Sequence, residues 1–431
     1  MDEQATTELD PLAAQDLIVR VAKVFTPRMP VSNRDFFAGR LEQLETIADA
    51  VSQSGLHVVI YGERGVGKTS LANIIEPLIH VVDEGDEDQA NQSERIVVKV
   101  NASTGETFSA IWRKALGEIS FNQGRRDAGF GDTRQMEQRS FLDALGIEGD
   151  VTVDQIRKSF GALPRAVFVI DEFDRVASRV APSFTDLIKM LSDFAVPVTV
   201  VLVGVSSTVA DLIADHESIG RSLVQIELPR MKRKELLDII QKAERVLEVK
   251  FEDDASKLIA HMSQGLPHYT HLLGLHSVRE AAKQLRRNVT ADDVYRACEK
   301  SVKQAQQSIT QKHSDAVHSA HKEALYRPIL VACAVAASMT ADSLGYFNPA
   351  AVTRPLSEIL DRGVEIATFN RHLGEWIEAK RGNVLERIGQ QHSFRYRFGD
   401  PLMVPYVLMD AISRGLIDPE QLNQLIEKSP R

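Results

Sequence analysis

One segment of this 431-residue chain has the glycine spacing of a phosphate-binding loop. The segment GERGVGKTS, which begins at Gly62, matches the pattern G-x-x-x-x-G-K-[ST] in full. Glycines allow a tight turn whose backbone N–H groups face phosphate oxygens, and the helix that follows points its positive end at the same charge. We therefore predict that the chain binds a nucleoside triphosphate, with ATP as the nucleotide.

Side-chain chemistry gives the loop positions separate roles. We expect Lys68 to reach the outer phosphates and Thr69 to ligate Mg²⁺. The alternative, a chance glycine-rich turn, is disfavoured because an apolar strand-like run precedes the loop and a helical pattern follows it. The predicted nucleotide-binding positions of the loop are Gly62, Glu63, Arg64, Gly65, Val66, Gly67, Lys68, Thr69 and Ser70.

A second motif, AVFVIDEFDR, is an apolar strand that ends in Asp171 and Glu172. An acidic residue at the carboxyl end of a neighbouring strand lies beside the phosphate site in doubly wound folds, so Asp171 is expected to hold Mg²⁺ directly or through water. Glu172 is then placed to orient or deprotonate the attacking water. An Asp-Glu pair by itself is commonly a helix cap, but together with the phosphate loop it favours hydrolysis.

Two further polar residues occupy positions that a hydrolytic site uses. Ser206 follows an apolar strand and either senses the terminal phosphate or caps the next helix. Arg221 precedes another strand and either neutralises transition-state charge in a neighbouring subunit of a homo-oligomer or is a solvated surface arginine. Both alternatives stay open at this point.

Strands alternate with helical segments over residues 34–229, which predicts an α/β domain with a mostly parallel sheet. The strand patterns then stop, and residues 230–307 are predicted to form a helical lid. A polar linker over residues 308–321 leads to a unit at residues 322–431, where three helices followed by two strands are the pattern of a winged helix. Residues 1–33 are expected to be a flexible tail.

With these residues assembled, the chain resembles the AAA+ ATPases of the initiator or origin-recognition-like clade, together with the related STAND signalling ATPases. GERGVGKTS resembles the Walker A motif, VFVIDE resembles the Walker B motif, and FFAGR at residues 36–40 resembles the opening nucleotide-side motif. The resemblance implies an α/β P-loop NTPase, with an AAA+ core of mostly parallel sheet, a helical lid and a C-terminal winged helix. It also implies hydrolysis of ATP with Mg²⁺.

The lid sequence departs from the initiator pattern. Initiator-like members usually carry an arginine in a Gly-x-x-Arg motif, whereas this chain has Gly265, Leu266, Pro267 and His268. The segment looks more like the Gly-x-Pro of STAND proteins, in which the proline packs against bound nucleotide, so the resemblance assigns Pro267 to the nucleotide site. Without the arginine, a slow nucleotide-gated switch becomes more attractive than fast hydrolysis.

Basic residues of the C-terminal unit are candidates for contacts with double-stranded DNA. A recognition helix and a basic wing would use five of them, which are Arg371, Lys380, Arg381, Arg395 and Arg397. The alternative is that they pair with Glu375, Glu378 and Glu386, or that the unit contacts a protein, since the fold does not decide the partner. The first interpretation is a DNA-associated ATPase, and the second is a STAND-like switch that binds a protein effector.

Bulk composition restricts the remaining possibilities. A net charge of −9 argues against general attraction to nucleic acid, so any such binding must come from a local patch. The two cysteines, Cys298 and Cys333, support neither a disulfide framework nor a zinc site. The N-terminus lacks the pattern of a secretory signal, and the longest apolar run is too short to span a bilayer. We therefore expect a cytoplasmic protein with no membrane partner.

Overall fold

The chain forms two compact units. The computed structural model describes residues 8–27, 39–84, 95–125, 135–206, 208–213, 219–320, 324–341, 345–390, 393–418 and 422. The α/β unit comprises Pro30–Glu63 and Gly67–Pro229, and the helical unit comprises Met1–Met29, Arg64–Val66 and Arg230–Arg431. The predicted lid and C-terminal domain thus belong to one unit, together with three residues of the phosphate loop.

A five-stranded parallel sheet forms the centre of the α/β unit, as the sequence predicted. The strands of this unit are β1 (His57–Gly62), β2 (Ile96–Asn101), β3 (Ser120–Arg125), β4 (Gln135–Ser140), β5 (Ala166–Asp171), β6 (Val198–Val205) and β7 (Leu223–Glu227). The order across the sheet is β2-β5-β6-β1-β7, while β3 and β4 pair separately as an antiparallel hairpin. Because the five strands are parallel, the carboxyl ends of β1, β5 and β6 meet at one edge of the sheet.

Helices are numbered along the chain from α1 (Pro11–Val24), which belongs to the helical unit. Those of the α/β unit are α2 (Leu41–Ser52), α3 (Lys68–Glu84), α4 (Phe108–Gly117), α5 (Phe141–Leu145), α6 (Val153–Phe160), α7 (Ala181–Asp193) and α8 (Val209–Leu212). An aromatic cluster joins one face of the sheet to α4, α6 and α7, with the Trp112 ring centroid 5.2 Å from that of Phe160 and 5.4 Å from that of Phe168. Residues that alternate with this face point to the other side of the sheet.

The helical unit contains the lid and the C-terminal elements. Its further helices are α9 (Arg233–Leu247), α10 (Asp253–Met262), α11 (Pro267–Lys283), α12 (Ala291–Lys303), α13 (Gln307–Val317), α14 (Tyr326–Thr340), α15 (Ala350–Leu360), α16 (Ile366–Glu375) and α17 (Met403–Ser413). Its strands are β8 (Lys250–Phe251), β9 (Asn288–Val289), β10 (Leu385–Ile388) and β11 (Arg395–Phe398). The last two form the antiparallel hairpin expected after three helices. Phe347 extends this hairpin, because it exchanges backbone hydrogen bonds of 2.8 and 3.0 Å with Tyr396.

Part of the expected N-terminal tail is helical, which corrects the prediction for residues 11–24. The Asp10 carboxylate caps α1 by accepting the N–H groups of Leu12 and Ala13, each at 2.9 Å. Leu17 and Val21 are buried on the face that packs against α11. Their helical spacing stabilises the segment through tertiary contact.

The expected polar linker is also helical over most of its length, since α13 covers residues 307–317. Ile309, His313 and Ala316 recur at helical spacing and are buried. The indole Nε1 of Trp376 donates a 3.0 Å hydrogen bond to the Ala316 carbonyl. A narrow buried stripe within a polar segment therefore produced a packed helix where composition indicated a linker.

Among the described residues, no helix has the length and apolarity needed to cross a membrane.

The packing of the N-terminal segment on α11 can be tested at Gly274. A Cβ at this position would lie 2.5 Å from atoms of the Phe25 ring, which is itself 1% exposed. We expect Gly274→Ala to lower the free energy of unfolding by about 1 to 3 kcal/mol, measured by chemical denaturation, because the ring has to move. Gly374→Ala on α16 is the matched control: no atom lies within 4 Å of that Cβ, so stability should hold or rise. Equal stability of the two variants would contradict the close packing.

Candidate nucleotide-binding site

The loop between β1 and α3 has the backbone that its glycines predicted. Gly62, at φ 153°, packs so closely that a Cβ would lie 2.4 Å from the Leu228 carbonyl oxygen. Gly67 has φ 100°, in the region that favours glycine, and α3 begins at the next residue. The amino end of a 17-residue helix therefore follows the loop directly, as anion binding at a helix terminus requires.

Lys68 lies across the loop and is 7% exposed. Its Nζ donates hydrogen bonds to the carbonyl oxygens of Gly62 at 3.0 Å and Glu63 at 2.7 Å. Burial lowers the pKa of the ammonium to about 8, against the opposing attraction of the Asp174, Asp171 and Glu63 carboxylates. The ammonium is thus held within the loop by weak neutral acceptors that an anionic phosphate can replace.

Asp171 ends β5 as a buried carboxylate with 2% exposure. One oxygen, Oδ1, accepts the N–H of Glu172 at 2.8 Å. The other, Oδ2, lies 3.1 Å from Lys99 Nζ but makes no hydrogen bond with the part of the chain that the structure describes. A fixed carboxylate with an unsatisfied oxygen fits Mg²⁺ or a Mg²⁺-bound water. Thr69, in the first turn of α3, supplies the hydroxyl that such an ion uses beside phosphate oxygens.

Glu172 follows in a left-handed conformation, with φ 57° and ψ 32°. It precedes a short 3₁₀ helix, Phe173–Arg175, but its side chain makes no capping hydrogen bond there. Instead its Oε2 lies 3.1 Å from Arg175 Nη1 in a partly exposed ion pair. The alternative of a helix cap therefore does not describe this carboxylate.

Ser206 lies next to the loop, since its N–H donates to the Gly62 carbonyl at 3.3 Å. Its hydroxyl donates to the Thr208 carbonyl at 2.7 Å and accepts the Thr208 N–H at 3.1 Å. These are the turn contacts that the capping alternative predicted. Arg221 is exposed before β7, and β7 begins opposite His57 at the start of β1. The structure therefore places Arg221 at the sheet edge away from the phosphate loop.

The lid segment makes a tight turn into α11. Gly265 has φ 77°, and a Cβ there would lie 2.7 Å from Arg230 Cβ. Pro267 is the first residue of α11 and is buried, which suits a ring with a fixed φ and no N–H. His268 Nδ1 lies 2.7 Å from the Pro27 carbonyl oxygen. The histidine is thus engaged by the N-terminal segment.

Residues Arg64–Val66, the tip of the phosphate loop, cluster with the helical unit. The Arg64 guanidinium donates to Gln306 Oε1 at 2.8 Å and lies 3.6 Å from Asp400 Oδ2. A Cβ on Gly65 would lie 3.0 Å from Leu402 Cδ2. The sequence predicted only nucleotide binding for these three tip residues. It did not indicate their contacts with Gln306, Asp400 and Leu402.

Three of the five candidate DNA-binding cations are paired with acidic side chains. Arg371 Nε donates to Glu375 Oε1 at 2.7 Å, and Lys380 Nζ lies 2.7 Å from Glu378 Oε2. Arg397 binds Glu386 through Nε at 2.8 Å and Nη2 at 2.7 Å. These are the pairs that the alternative interpretation named.

The other two candidate cations lie against aromatic rings. The Arg381 guanidinium stacks 4.0 Å from the Tyr326 ring centroid and donates to the His318 carbonyl at 2.5 Å. Arg395 lies 5.8 Å from the ring centroid of Tyr346. All five cations are therefore engaged within the helical unit itself.

Two charged residues near the loop were missed by sequence reasoning. Asp174 Oδ1 accepts the Val205 N–H at 2.8 Å, and its charge acts on Lys68. Lys99 contacts Asp171, as described above. A signal for Lys99 was present, because it is a charged residue inside the otherwise apolar run IVVKV. The motif FFAGR lies outside the described residues apart from Gly39 and Arg40, and Ser207 also lies outside them.

A parallel sheet with a phosphate loop after β1 and an acidic pair after β5 defines a P-loop NTPase, here with the predicted AAA+ class of core. The chain belongs to the family described as Novel STAND NTPase 1, whose model matches residues 28–342. The expectation of an AAA+ ATPase with STAND features is confirmed by this membership. The match ends before α15, so the hairpin with its basic residues lies outside it. No curated protein matches the sequence.

Solved structures with similar folds have low sequence identity to this chain. The ORC2 protein of Aeropyrum pernix, in ADPNP-ADP complexes, is 14% identical, with a TM-score of 0.48 and coverage of 94% of this chain and 97% of that chain. Cdc6p from Pyrobaculum aerophilum is 16% identical, with a TM-score of 0.45 and coverage of 93% and 98%. The RuvB Holliday junction branch migration motor of Thermotoga maritima is 17% identical, with a TM-score of 0.39 and coverage of 85% and 95%.

The lowered pKa of Lys68 predicts how nucleotide affinity depends on pH. Phosphate favours the protonated ammonium, so binding takes up a proton once the pH exceeds the free value of about 8. ADP affinity should therefore be steady below pH 7 and fall above pH 8, by up to about tenfold per pH unit, in calorimetric titrations. Lys68→Arg keeps its charge, and its weaker affinity should stay flat over the same range. A parallel decline in both proteins would contradict this role.

Proposed function

We propose that this chain is a nucleotide-controlled switch, which binds ATP with Mg²⁺, hydrolyses it to ADP and phosphate, and binds a protein effector through its helical unit. The observation that carries the proposal is the position of Arg64. This residue belongs to the phosphate loop by sequence, yet its guanidinium contacts Gln306, after the last lid helix, and Asp400, beside the C-terminal hairpin. In the proposed switch, a change in the conformation of Arg64 would alter these contacts of the C-terminal elements.

The hydrolytic part of the proposal rests on the arrangement at the carboxyl edge of the sheet. Lys68 and the amino end of α3 would bind the phosphates, and Thr69 and Asp171 would hold Mg²⁺, which would supply positive charge next to the phosphate oxygens. Glu172 orients the attacking water. Its present partner, Arg175, forms an exposed ion pair of the kind that contributes about 0.2 to 1 kcal/mol, so the carboxylate can leave it at little cost.

The switching part rests on contacts around the loop tip. The pair between Arg64 and Asp400 is half-exposed on the arginine side and spans 3.6 Å, so rearrangement of the loop can break it readily. Tyr269, two residues after Pro267, donates from its hydroxyl to the Leu402 carbonyl at 2.7 Å. The lid helix and the loop tip thus contact the same short segment, residues 400–402. Contact of nucleotide with Pro267 would reach this segment through α11.

A protein effector is the favoured partner because the candidate cations already have partners within the helical unit, so DNA binding gains less from them. The pairs of Arg371 and Lys380 are exposed and therefore weak, so this effect is small. Residues 326–431 also contain 12 basic and 12 acidic residues, so the C-terminal elements have no net charge. A module without excess positive charge has little long-range electrostatic attraction to DNA.

Double-stranded DNA is the second candidate partner. Three helices, a hairpin and the added Phe347 pairing have the connectivity of a winged helix, which we propose for this module. In that arrangement α16 would enter the major groove, with Arg371 facing the duplex and Arg395 and Arg397 on the wing.

Arg221 would act in a homo-oligomer, in which its guanidinium would reach the phosphates bound by the neighbouring subunit.

Hydrolysis is tested by Glu172→Gln. The amide cannot accept a proton from water, so we expect phosphate release to fall by about a hundredfold or more while ATP binding persists. Arg175→Gln is the control, since it breaks the ion pair but leaves the carboxylate, and its rate should equal or exceed that of the unaltered chain. An unchanged rate in Glu172→Gln would refute the assignment.

Duplex DNA should leave the rate of phosphate release by the unaltered chain unchanged. Stimulation of this rate by DNA in a salt-sensitive manner would favour the second candidate partner.

Switching is tested by Asp400→Asn, which removes the charge opposite Arg64. We expect faster release of fluorescent ADP, by about threefold to tenfold in stopped-flow measurements, because the loop loses one restraint on opening. Glu358→Gln is the matched control, since Glu358 forms an exposed pair with Arg354 at 3.0 Å within α15. Identical ADP release from both variants would show that the Asp400 contact does not communicate with the nucleotide.

A further inference from the structure

Lys99 is a charged residue in the middle of β2, the edge strand of the sheet, and neither the family match nor the motifs assign it a role. It lies on β2 between Val98 and Val100, whose side chains join the aromatic face of the sheet. Alternation along the strand turns Lys99 to the opposite face. In the register between β2 and β5, Lys99 pairs with Val169 and Asn101 pairs with Asp171, so Lys99 shares its face with Asp171.

The Lys99 ammonium bridges the two elements that carry the Mg²⁺ ligands. Its Nζ lies 3.1 Å from Asp171 Oδ2 at the end of β5, and it also donates a hydrogen bond to Asn73 Oδ1 on α3. Asn73 is four residues after Thr69, so the two side chains lie on one face of the helix. The lysine side chain is 24% exposed, and the carboxylate it faces is 3% exposed. The ammonium is therefore an internal cation beside the predicted Mg²⁺ position.

Two effects of this cation on Mg²⁺ oppose each other. An ammonium can help by holding the carboxylate in place, or it can hinder by repelling a second cation from the same carboxylate. The carboxylate is already held by its Oδ1, which accepts the Glu172 N–H at 2.8 Å. Moreover, Oδ2 makes no directed hydrogen bond to Lys99 despite the short distance. Repulsion is thus the larger effect, and it is strengthened because the carboxylate is shielded from water.

We propose that Lys99 is a positioning residue that neutralises Asp171 before Mg²⁺ arrives and sets the Mg²⁺ concentration at which nucleotide is held tightly. Mg²⁺ entry would then require the ammonium to move away from Oδ2 while it keeps its hydrogen bond to Asn73 Oδ1. A buried carboxylate is kept paired in both states, first by Lys99 and then by the metal. This inference rests on the proposed nucleotide site.

The test is a Mg²⁺ titration of ATP binding, followed with a fluorescent ATP analogue in the full chain. In Lys99→Met the Mg²⁺ midpoint should fall about tenfold, because one positive charge next to the metal is gone. Lys99→Gln keeps a polar group for Asn73 and Asp171 and should show the same direction of change if the Met variant does not fold. Lys99→Arg keeps the charge, so its midpoint should stay at the value of the unaltered chain.

Lys114→Met is the matched control, since Lys114 is a half-exposed cation of the same unit that pairs with Glu106 at 2.7 Å. Its midpoint should not change. An unchanged or raised midpoint in both neutral variants of Lys99 would overturn the inference, because Lys99 would then not oppose the metal. Failure of the unaltered chain to bind the analogue with or without Mg²⁺ would overturn the proposed function itself.

Discussion

Compensation of buried charge at the carboxyl edge of the sheet is the constraint on which the site depends. Lys68 and Asp171 are 7% and 2% exposed, and isolated charges at such positions would be strongly unfavourable. The fold satisfies Lys68 with two loop carbonyls and Asp171 with one backbone N–H and the Lys99 ammonium. A phosphate could replace the loop carbonyls and a metal ion could replace the Lys99 ammonium, whereas the N–H of Glu172 keeps the carboxylate in place. In the proposed function, the site exchanges these replaceable partners for those of the nucleotide.

The same edge carries the loop that would act as the sensor of the proposed switch. Its base is fixed by the close packing of Gly62 against Leu228 and by the start of α3 at Lys68. Its tip, in contrast, contacts Gln306 and Asp400 through Arg64. In the proposed switch, a small change at the phosphates would alter the polar contacts of the tip while the base stays fixed. Such coupling requires contacts that differ between two states, which a weak ion pair supplies.

The C-terminal cations show why residue type alone does not identify a partner. Their spacing on a helix and a hairpin suits DNA, yet each one is engaged by an acidic side chain, a carbonyl or an aromatic ring of its own unit. Pairing between Arg397 and Glu386 follows from the register of β10 and β11, in which these residues are directly opposite. This ion pair therefore stabilises the pairing of the two strands of the hairpin.

The sequence by itself determined the sheet strands, the phosphate loop and the acidic pair, because buried parallel strands and phosphate-binding turns require particular residues at short, fixed spacings. It also indicated two roles for the C-terminal cations, namely contacts with DNA and ion pairs within their own unit. The second role was visible because helical i, i+4 spacing places Glu375 next to Arg371. Helices α1 and α13 were not recognised, because their stability comes from narrow buried stripes that pack against other helices of their own unit. The pairing of Lys99 with Asp171, and of Arg64 with Asp400, joins residues far apart in the chain. Only the tertiary structure decided those pairs, because contacts between distant residues depend on how strands are ordered and helices are packed, and no local spacing encodes them.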